Sequence, residues 1–374
     1  MAITNAIKIA QSLAAIDQAG AATPAGKAEL VELARRGLTG PEMLARLDAA
    51  VAGTLQRTTE DLELLLAHAE MSWSADQRNP TATRTRDSAR RLVEMVPDLA
   101  DGYRLLGFAH LTRREYREAF LALSAVKTIA LPADAGTQTD ARLPRVRVNY
   151  DNFRALARSL MSGSQRCTFE LGGHRYSFDL STHNAAAVEA SAFHAVGMLT
   201  EWEELQFLGA ILSPERTRRI VEVGVLMGNH TAYFLKTLRP AHITLIDGDP
   251  ANIPFIEHTV FYNLPEPRPQ VDVQCAFIAG SSGEATFAGA RMPRRILGEL
   301  VRGGVDFIKI DVDGGEVNLL KGAAEVIEGS RPVVMIETTP NTHEPVVGWF
   351  AARKYGVKRV FDHGAYRNVV LLPA

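Results

Sequence analysis

Cysteine is almost missing from this chain: Cys167 and Cys275 are the only two among 374 residues. Two thiols that far apart supply neither a disulfide framework nor the clustered ligands of a zinc site. Both read as small buried hydrophobes, and a reducing cytoplasm is the expected setting. Long apolar runs are missing too: none reaches the roughly 20 residues that a membrane-spanning helix needs. The stretch from Met1 to Gly20 has no continuous apolar region of the export-signal type, and Asp17 interrupts it. Nor is there an excess of positive charge, since 41 Lys and Arg stand against 43 Asp and Glu for a net charge of -2. Such a balance provides no generic surface for nucleic acid, so neither nucleic acid nor membrane is expected as a partner.

What is present is enough apolar material, 46% of residues, to fill the cores of two or more domains. From about Ile3 to Leu131 apolar positions recur at three- and four-residue intervals, as in Leu62, Leu65, Leu66 and Ala69, which predicts an all-helical domain over 1–132. Within it Tyr103, Leu106, Gly107, His110, Ala119 and Leu123, followed by Pro132, fall near the positions where tetratricopeptide repeats place the small residues that let paired helices touch. A weaker copy runs from Asp61 to Pro97, stretched by a polar insert over 73–86. An irregular helical bundle is an equally open reading. A repeat array would offer a groove to a peptide or protein partner, whereas a bundle would cap a catalytic domain or join copies into a homo-oligomer. Residues 133–213 read as a connector, with a helix over Tyr150–Met161 and a hairpin over Arg166–Leu180 turning at Gly172-Gly173. Lead-in helices follow around Ala185 to Leu199 and Glu201 to Leu212.

From 214 to 374 strand and helix signals alternate. Strands are expected at Ile220–Val223, Ile243–Asp247, Val271–Ala276, Phe307–Val312, Val333–Ile336, Lys358–Phe361 and Val369–Leu372, with helices at Asn229–Leu238, Ile253–Tyr262, Val317–Ile327 and Pro345–Tyr355. That alternation predicts an α/β domain with a mainly parallel sheet covered on both faces, and the short link between the last two strands permits an antiparallel edge strand. The first strand ends in Glu222 and runs into Gly224 and Gly228; the second ends in Asp247, about twenty residues on. Acids at the carboxyl ends of adjacent strands are how such a sheet holds a nucleoside, Asp247 standing where ribose hydroxyls need an acceptor. The glycines are four apart, not in the G-x-G-x-x-G spacing that seats a pyrophosphate on a helix N-terminus, and Leu226 occupies the middle place. Glu222 would repel a diphosphate yet could accept hydrogen bonds from an ammonium. The combination favours a cationic ligand without phosphates, which S-adenosyl-L-methionine is.

A third block, Ile308-Lys309-Ile310-Asp311-Val312-Asp313-Gly314-Gly315-Glu316, precedes Val333-Val334-Met335-Ile336-Glu337. Together the three resemble the FkbM family of S-adenosylmethionine-dependent methyltransferases, with its D-V-G-x-x-x-G-N-x-T loop, its strand ending in an acid and proline, and its I-K-I-D-V-E-G-x-E block. The resemblance spans roughly Arg219 to Leu372. Glu222 stands for the family's aspartate, Asp313 for its glutamate, and Asp247-Gly248-Asp249-Pro250 for the more usual E-P-x-P, while Val225-Leu226-Met227 are more apolar than usual. The resemblance implies a class I methyltransferase, Rossmann-like, with Asp247 and Asp249 by the ribose and Ala276 and Phe277 by adenine. The main-chain N–H groups of Asn229, His230 and Thr231, opening the first helix, would meet the methionine carboxylate.

Methyl transfer from a sulfonium is an in-line displacement, so the protein must align the acceptor and exclude water. Asp311 is the leading candidate for positioning cofactor or acceptor, with Asp313, Glu316 and Lys309 beside it as candidates for base or partner. Each has a plain structural counterpart: Asp313 and Glu316 as caps of the following helix, Lys309 as a buried ion-pair partner. Asp311, Asp313 and Glu337 could bind Mg2+, but no compact ligand motif demands a metal and no metal ligand is assigned. The function expected from the resemblance is O-methylation of a hydroxyl on a small molecule, sugar, glycan or secondary metabolite. N-methylation of an amine or of a peptide recruited by the helical half, and a non-catalytic scaffold with a degenerate domain, stand as alternatives.

Overall fold

The computed structural model describes residues 23–35, 41–53, 55–56, 58–76, 83–128, 150–287, 290–312, 314–364 and 366–374. The chain divides into two compact units, one of residues 1–164 and 181–192, the other of 165–180 and 193–374. In the first, the described helices are α1 (Pro24–Arg35), α2 (Pro41–Ala52), α3 (Thr59–Asp76), α4 (Arg84–Met95), α5 (Ala100–Thr112), α6 (Tyr116–Thr128) and α7 (Tyr150–Met161). Leu30, Leu47, Leu64, Leu65 and Leu92 bury fully between them, as the three-and-four spacing requires. Gly107 of α5 lies so near Leu123 of α6 that a methyl group there would meet Leu123 Cγ at 2.5 Å, so this small residue sets the approach of the two helices. The expected polar insert is in part helix, since α3 continues through Trp73 to Asp76; its central residues, 77–82, and Pro132 lie outside the described residues.

The second unit begins with the hairpin β1 (Arg166–Leu171) and β2 (His174–Asp179), paired antiparallel as expected. Helix α8 (Ala185–Ala195) ends in this unit, and α9 (Trp202–Ile211) leads to the sheet. There follow β3 (Arg219–Val223), α10 (Asn229–Tyr233) running on as one π-helical turn over Phe234–Leu238, β4 (His242–Asp247), α11 (Ile253–Asn263), β5 (Gln270–Cys275), β6 (Phe277–Ile278), β7 (Gly283–Phe287), β8 (Ala290–Arg295), α12 (Leu297–Leu300), β9 (Phe307–Ile310), α13 (Glu316–Ser330), β10 (Val333–Thr338), α14 (His343–Ala351), β11 (Tyr355–Asp362) and β12 (Arg367–Pro373). Seven of these strands form one sheet in the order β11-β12-β10-β9-β3-β4-β5. β12 runs antiparallel to both its neighbours, while the pairs from β10 to β5 are parallel. The strand order reverses between β3 and β9, so the crevice for a ligand opens beyond the carboxyl ends of those two strands.

Alternation along the strands sorts the core into two layers. Ile220, Ile243, Leu245, Phe307, Met335 and Val370 pack with α9, α10 and α11 on one face. Val221, Val223, Ile308, Ile310, Val334 and Ile336 pack with α13 and α14 on the other. Several expected bounds shift. The strand expected at Val271–Ala276 breaks at Ala276, and the stretch after it, where no element is expected, forms a small second sheet in the order β6-β8-β7. The helix expected over Pro345–Tyr355 stops at Ala351, because Tyr355 already begins β11, its ring packed in the core.

One contact pins the crevice. Gly224 has φ +81°, and a Cβ on it would lie 1.6 Å from the main-chain oxygen of Asp311, so the loops after β3 and β9 touch backbone to backbone. Gly224→Ala is therefore expected to cost about 3 kcal/mol or more in thermal unfolding. Gly304→Ala, with nothing within 4 Å of the added methyl, should unfold like the native chain.

Candidate active site

The carboxyl end of β3 delivers Glu222 to the face covered by α9 and α10, where it is fully buried. Its Oε2 accepts a hydrogen bond from the Thr231 hydroxyl at 2.6 Å, and its Oε1 is buried with no hydrogen-bond partner. Burial pushes the Glu222 carboxyl up, against the opposing pull of Lys309, His230 and Thr231. The register of β3 with β9 sets Lys309 directly beside Glu222. Lys309, 2% exposed, donates from Nζ to Asp311 Oδ2 at 2.8 Å. Burial alone would pull the lysine down, but Asp311, Glu201 and Glu222 outweigh it and hold the ammonium charged.

Asp247 ends β4, buried. Its Oδ1 accepts from the Asp249 N–H at 2.7 Å and from Asn252 Nδ2 at 3.0 Å, and its Oδ2 from the Leu226 N–H at 2.8 Å. Burial pushes this carboxyl up too, and those donors oppose it. The Gly-rich loop is thus tied to β4 by a residue with φ +56°, Leu226, which stands where a middle glycine was looked for. Its apolar neighbours Val225 and Met227 are core residues, 4% and 1% exposed, which explains this loop's composition. Gly228 caps α10 with φ +79°, backed by Thr259, whose hydroxyl donates to the Met227 carbonyl at 2.7 Å. Asp249 accepts from the Ala251 N–H and turns the loop into α11. Ala276 donates its N–H to the Asp247 carbonyl. Phe277, in β6, lies near Gly248 together with Met292, which makes an apolar wall beside the Asp247 loop.

The side chains of α10 are used inward. Asn229 accepts from His194 Nε2 at 3.1 Å and from the Thr200 N–H at 3.0 Å. His230 Nε2 lies 2.8 Å from Glu201 Oε2 as an ion pair, outside hydrogen-bond geometry. Glu316, fully buried, accepts from the Gly314 N–H at 2.6 Å through Oε1, the capping role open to it, while Oε2 is buried without a partner. Asp313 lies outside the described residues. The structure therefore gathers Glu222, Lys309 and Asp311 with His230 and Thr231, and sets Asp247, Asp249, Ala276 and Phe277 around the end of β4. Sequence reasoning missed Glu201, Asn252, Thr259 and Asn368. Of these only Asn252 carries a local signal, five residues beyond Asp247 at the start of a helix.

Glu201 is the largest omission. Burial pushes its carboxyl up, but His230, Lys309 and Asn368 outweigh this and hold it well below the usual carboxylate range. Among the described residues no group of three or more His, Cys, Asp or Glu side chains is placed to hold a metal ion, and no helix is long and apolar enough to cross a membrane.

The family model of the Methyltransferase FkbM domain matches residues 281–357, from β7 into β11. Among solved structures, the methyltransferase FkbM from Methylobacillus flagellatus KT is 16% identical; the alignment covers 68% of this chain and 62% of that one with a TM-score of 0.40. M. jannaschii TYW2 in complex with AdoMet is 12% identical over 56% of this chain and 85% of that one, TM-score 0.35. No curated protein matches the chain. The strand order with its antiparallel β12 is that of a class I methyltransferase, a Rossmann-like α/β fold. Within it residues 281–357 match the FkbM methyltransferase domain model.

His194 supplies a pH test of this architecture. It is fully buried, stacked on Phe178 at 3.8 Å and bonded to Asn229, and burial pulls its imidazole down to about 4, against the Asn229 bond. A lowered histidine stays neutral in the fold while the unfolded chain takes up a proton below pH 6.5. Its contribution is therefore present above that pH and lost as pH falls toward 4. Chemical unfolding of the native protein should lose stability on the order of 3 kcal/mol across that window from this group, and His194→Gln should lack that part of the loss.

Proposed function

We propose that this protein is an S-adenosyl-L-methionine-dependent methyltransferase that transfers a methyl group to a hydroxyl of a sugar, glycan or other small metabolite. The observation carrying the donor half is the pair of buried carboxylates at adjoining strand ends, Glu222 and Asp247, each with capacity to accept another hydrogen bond. Glu222 Oε1 has no partner at all, and Asp247 Oδ2 takes one donor where Oδ1 takes two. A buried acceptor without a donor costs about 1–3 kcal/mol, so these atoms favour a ligand rich in donors or positive charge and oppose one rich in phosphate.

The residues fit the donor. Asp247 would take ribose hydroxyls with Asp249 turning its loop, and Ala276 and Phe277, with Met292, would flank adenine. Glu222 would receive the ammonium end or a water beside it, and the start of α10, at Asn229, His230 and Thr231, would present main-chain N–H groups to the carboxylate. When bound, S-adenosyl-L-methionine supplies an electrophilic methyl on a sulfonium. Asp311, held by the bond from Lys309, would orient the acceptor hydroxyl, and Asp311 or Glu316 would take its proton. The hydroxyl class follows from the family resemblance. Recruitment of an acceptor by a tetratricopeptide-like helical unit is part of the same proposal, as is self-association through that unit.

Calorimetry with S-adenosylhomocysteine tests the donor half. Native protein should bind, and Asp247→Ala should weaken binding by at least about 30-fold, the loss of one charge-assisted bond to a ribose hydroxyl together with the ties to Leu226, Asp249 and Asn252 that shape the loop. An affinity unchanged in that variant would remove Asp247 from the site. Asp311→Asn should keep the binding and lose turnover.

A further inference from the structure

Glu201 sits outside the alternating strands and helices, immediately before α9, yet its carboxylate reaches over the sheet. Oε1 accepts from Asn368 Nδ2 of β12 at 2.8 Å, and Oε2 lies 2.8 Å from His230 of α10. Asn368 pairs in register with Glu337 of β10, and Lys309 of β9 feels the same carboxylate. One side chain thus links the first helix of the proposed donor half to the strand ends on the far side of the switch point, β9, β10 and β12. Its backbone is left-handed, φ +53° and ψ 39°, a conformation that is disfavoured for a residue with a Cβ and that glycine adopts freely. Strain of this kind persists where the surrounding structure over-determines it, and it clusters at functional sites.

Charge around these strand ends is arranged with the same economy. Lys309 is paired with Asp311 at 2.8 Å, His230 with Glu201 at 2.8 Å, His363 with Glu204 at 2.5 Å and Arg367 with Asp362 at 2.9 Å, while His343 Nδ1 meets the Thr338 hydroxyl at 3.0 Å. Among the described residues there, each of these cationic or titratable bases already has an acidic or hydroxyl partner. An anionic acceptor drawing on His230 or His363 would have to break its pair and leave the buried carboxylate of Glu201 or Glu204 alone, which is strongly unfavourable.

We propose that Glu201 is a positioning residue for methyl transfer, fixing His230 and Asn368 around Lys309 and Asp311, and that the acceptor face it organises admits an uncharged group and rejects a phosphorylated one. This rests on the reading of the site as a methyltransferase acting on hydroxyls. Glu201 acts through its partners, so its removal should lower the rate of transfer and spare the donor site.

The test offers labelled S-adenosyl-L-methionine to a panel of uncharged glycosides and polyols and to the phosphorylated forms of the same compounds. Label should enter uncharged compounds only. With the best of them Glu201→Gln should lower kcat at least about 30-fold, the scale of a small misplacement of reacting groups, while S-adenosylhomocysteine affinity stays within about threefold of native. Glu201→Asp should recover part of the rate, which a packing role would not produce. Asn368→Ala, which frees the same carboxylate without removing it, should lower kcat in the same direction and serves if the Gln variant does not fold. Phosphorylated compounds labelled at comparable rates, or native kcat in Glu201→Gln or Asn368→Ala, overturn the proposal. Native protein that binds S-adenosylhomocysteine and labels nothing in the panel takes the hydroxyl-acceptor reading and this inference down together. Native protein that fails to bind S-adenosylhomocysteine sinks the donor-site reading instead.

Discussion

A single buried ammonium governs the crevice of the sheet unit. Lys309 stands in the middle of a seven-stranded sheet, 2% exposed, and removing an ion from water costs several kcal/mol unless its surroundings replace the hydration. The replacement comes from three directions: Asp311 two residues along the same strand, Glu222 at the same level on the neighbouring strand, and Glu201 from the segment before the sheet. Each of these carboxylates has a second tie, Glu222 to Thr231, Glu201 to Asn368, and Asp311 through its main chain to Val223 and against Gly224. The cation therefore fixes the geometry of the loops after β3 and β9, and its anions leave buried acceptor capacity for a ligand.

The strand order divides the work proposed for this crevice. On one side of the switch point, β3, β4 and β5 carry Glu222, Asp247 and the Phe277 wall, a surface of acceptors and apolar contacts suited to a nucleoside joined to a positive centre. On the other, β9, β10 and β12 carry Asp311, Glu337 and Asn368, with cations already neutralised by partners. The loop chemistry follows from this division. A diphosphate would need glycines closely spaced at a helix N-terminus, whereas here Leu226 takes the left-handed position and spends its N–H on Asp247.

Much of the sheet unit was legible because its signals are local. Apolar runs ending in an acid mark β3 and β4, the I-K-I-D block marks β9, and the Gly172-Gly173 turn marks the hairpin. Each of the three blocks that carry the FkbM resemblance is local, and the match over 281–357 covers the third of them. What escaped was non-local. Glu201 meets His230 and Asn368, which lie 29 and 167 residues away along the chain, and nothing in its own neighbourhood announces either contact. The small sheet over 277–295 escaped because its strands are short and lack clear alternation, Pro293 and three arginines falling within or beside β8. The helix after Gly228 was expected to be regular. Its second half is a π turn, an adjustment that pattern alone does not reveal.

The claim on which the account stands is that the loops closing β3 and β4 receive S-adenosyl-L-methionine. Hydrogen–deuterium exchange of the 374-residue chain with and without S-adenosylhomocysteine addresses it most directly, because the readout locates the ligand on the chain. Added protection is expected over 224–231 and 247–252, with no change over 84–128 in the helical unit. Protection confined to the helical unit, or none at a concentration that saturates a class I methyltransferase, would contradict it.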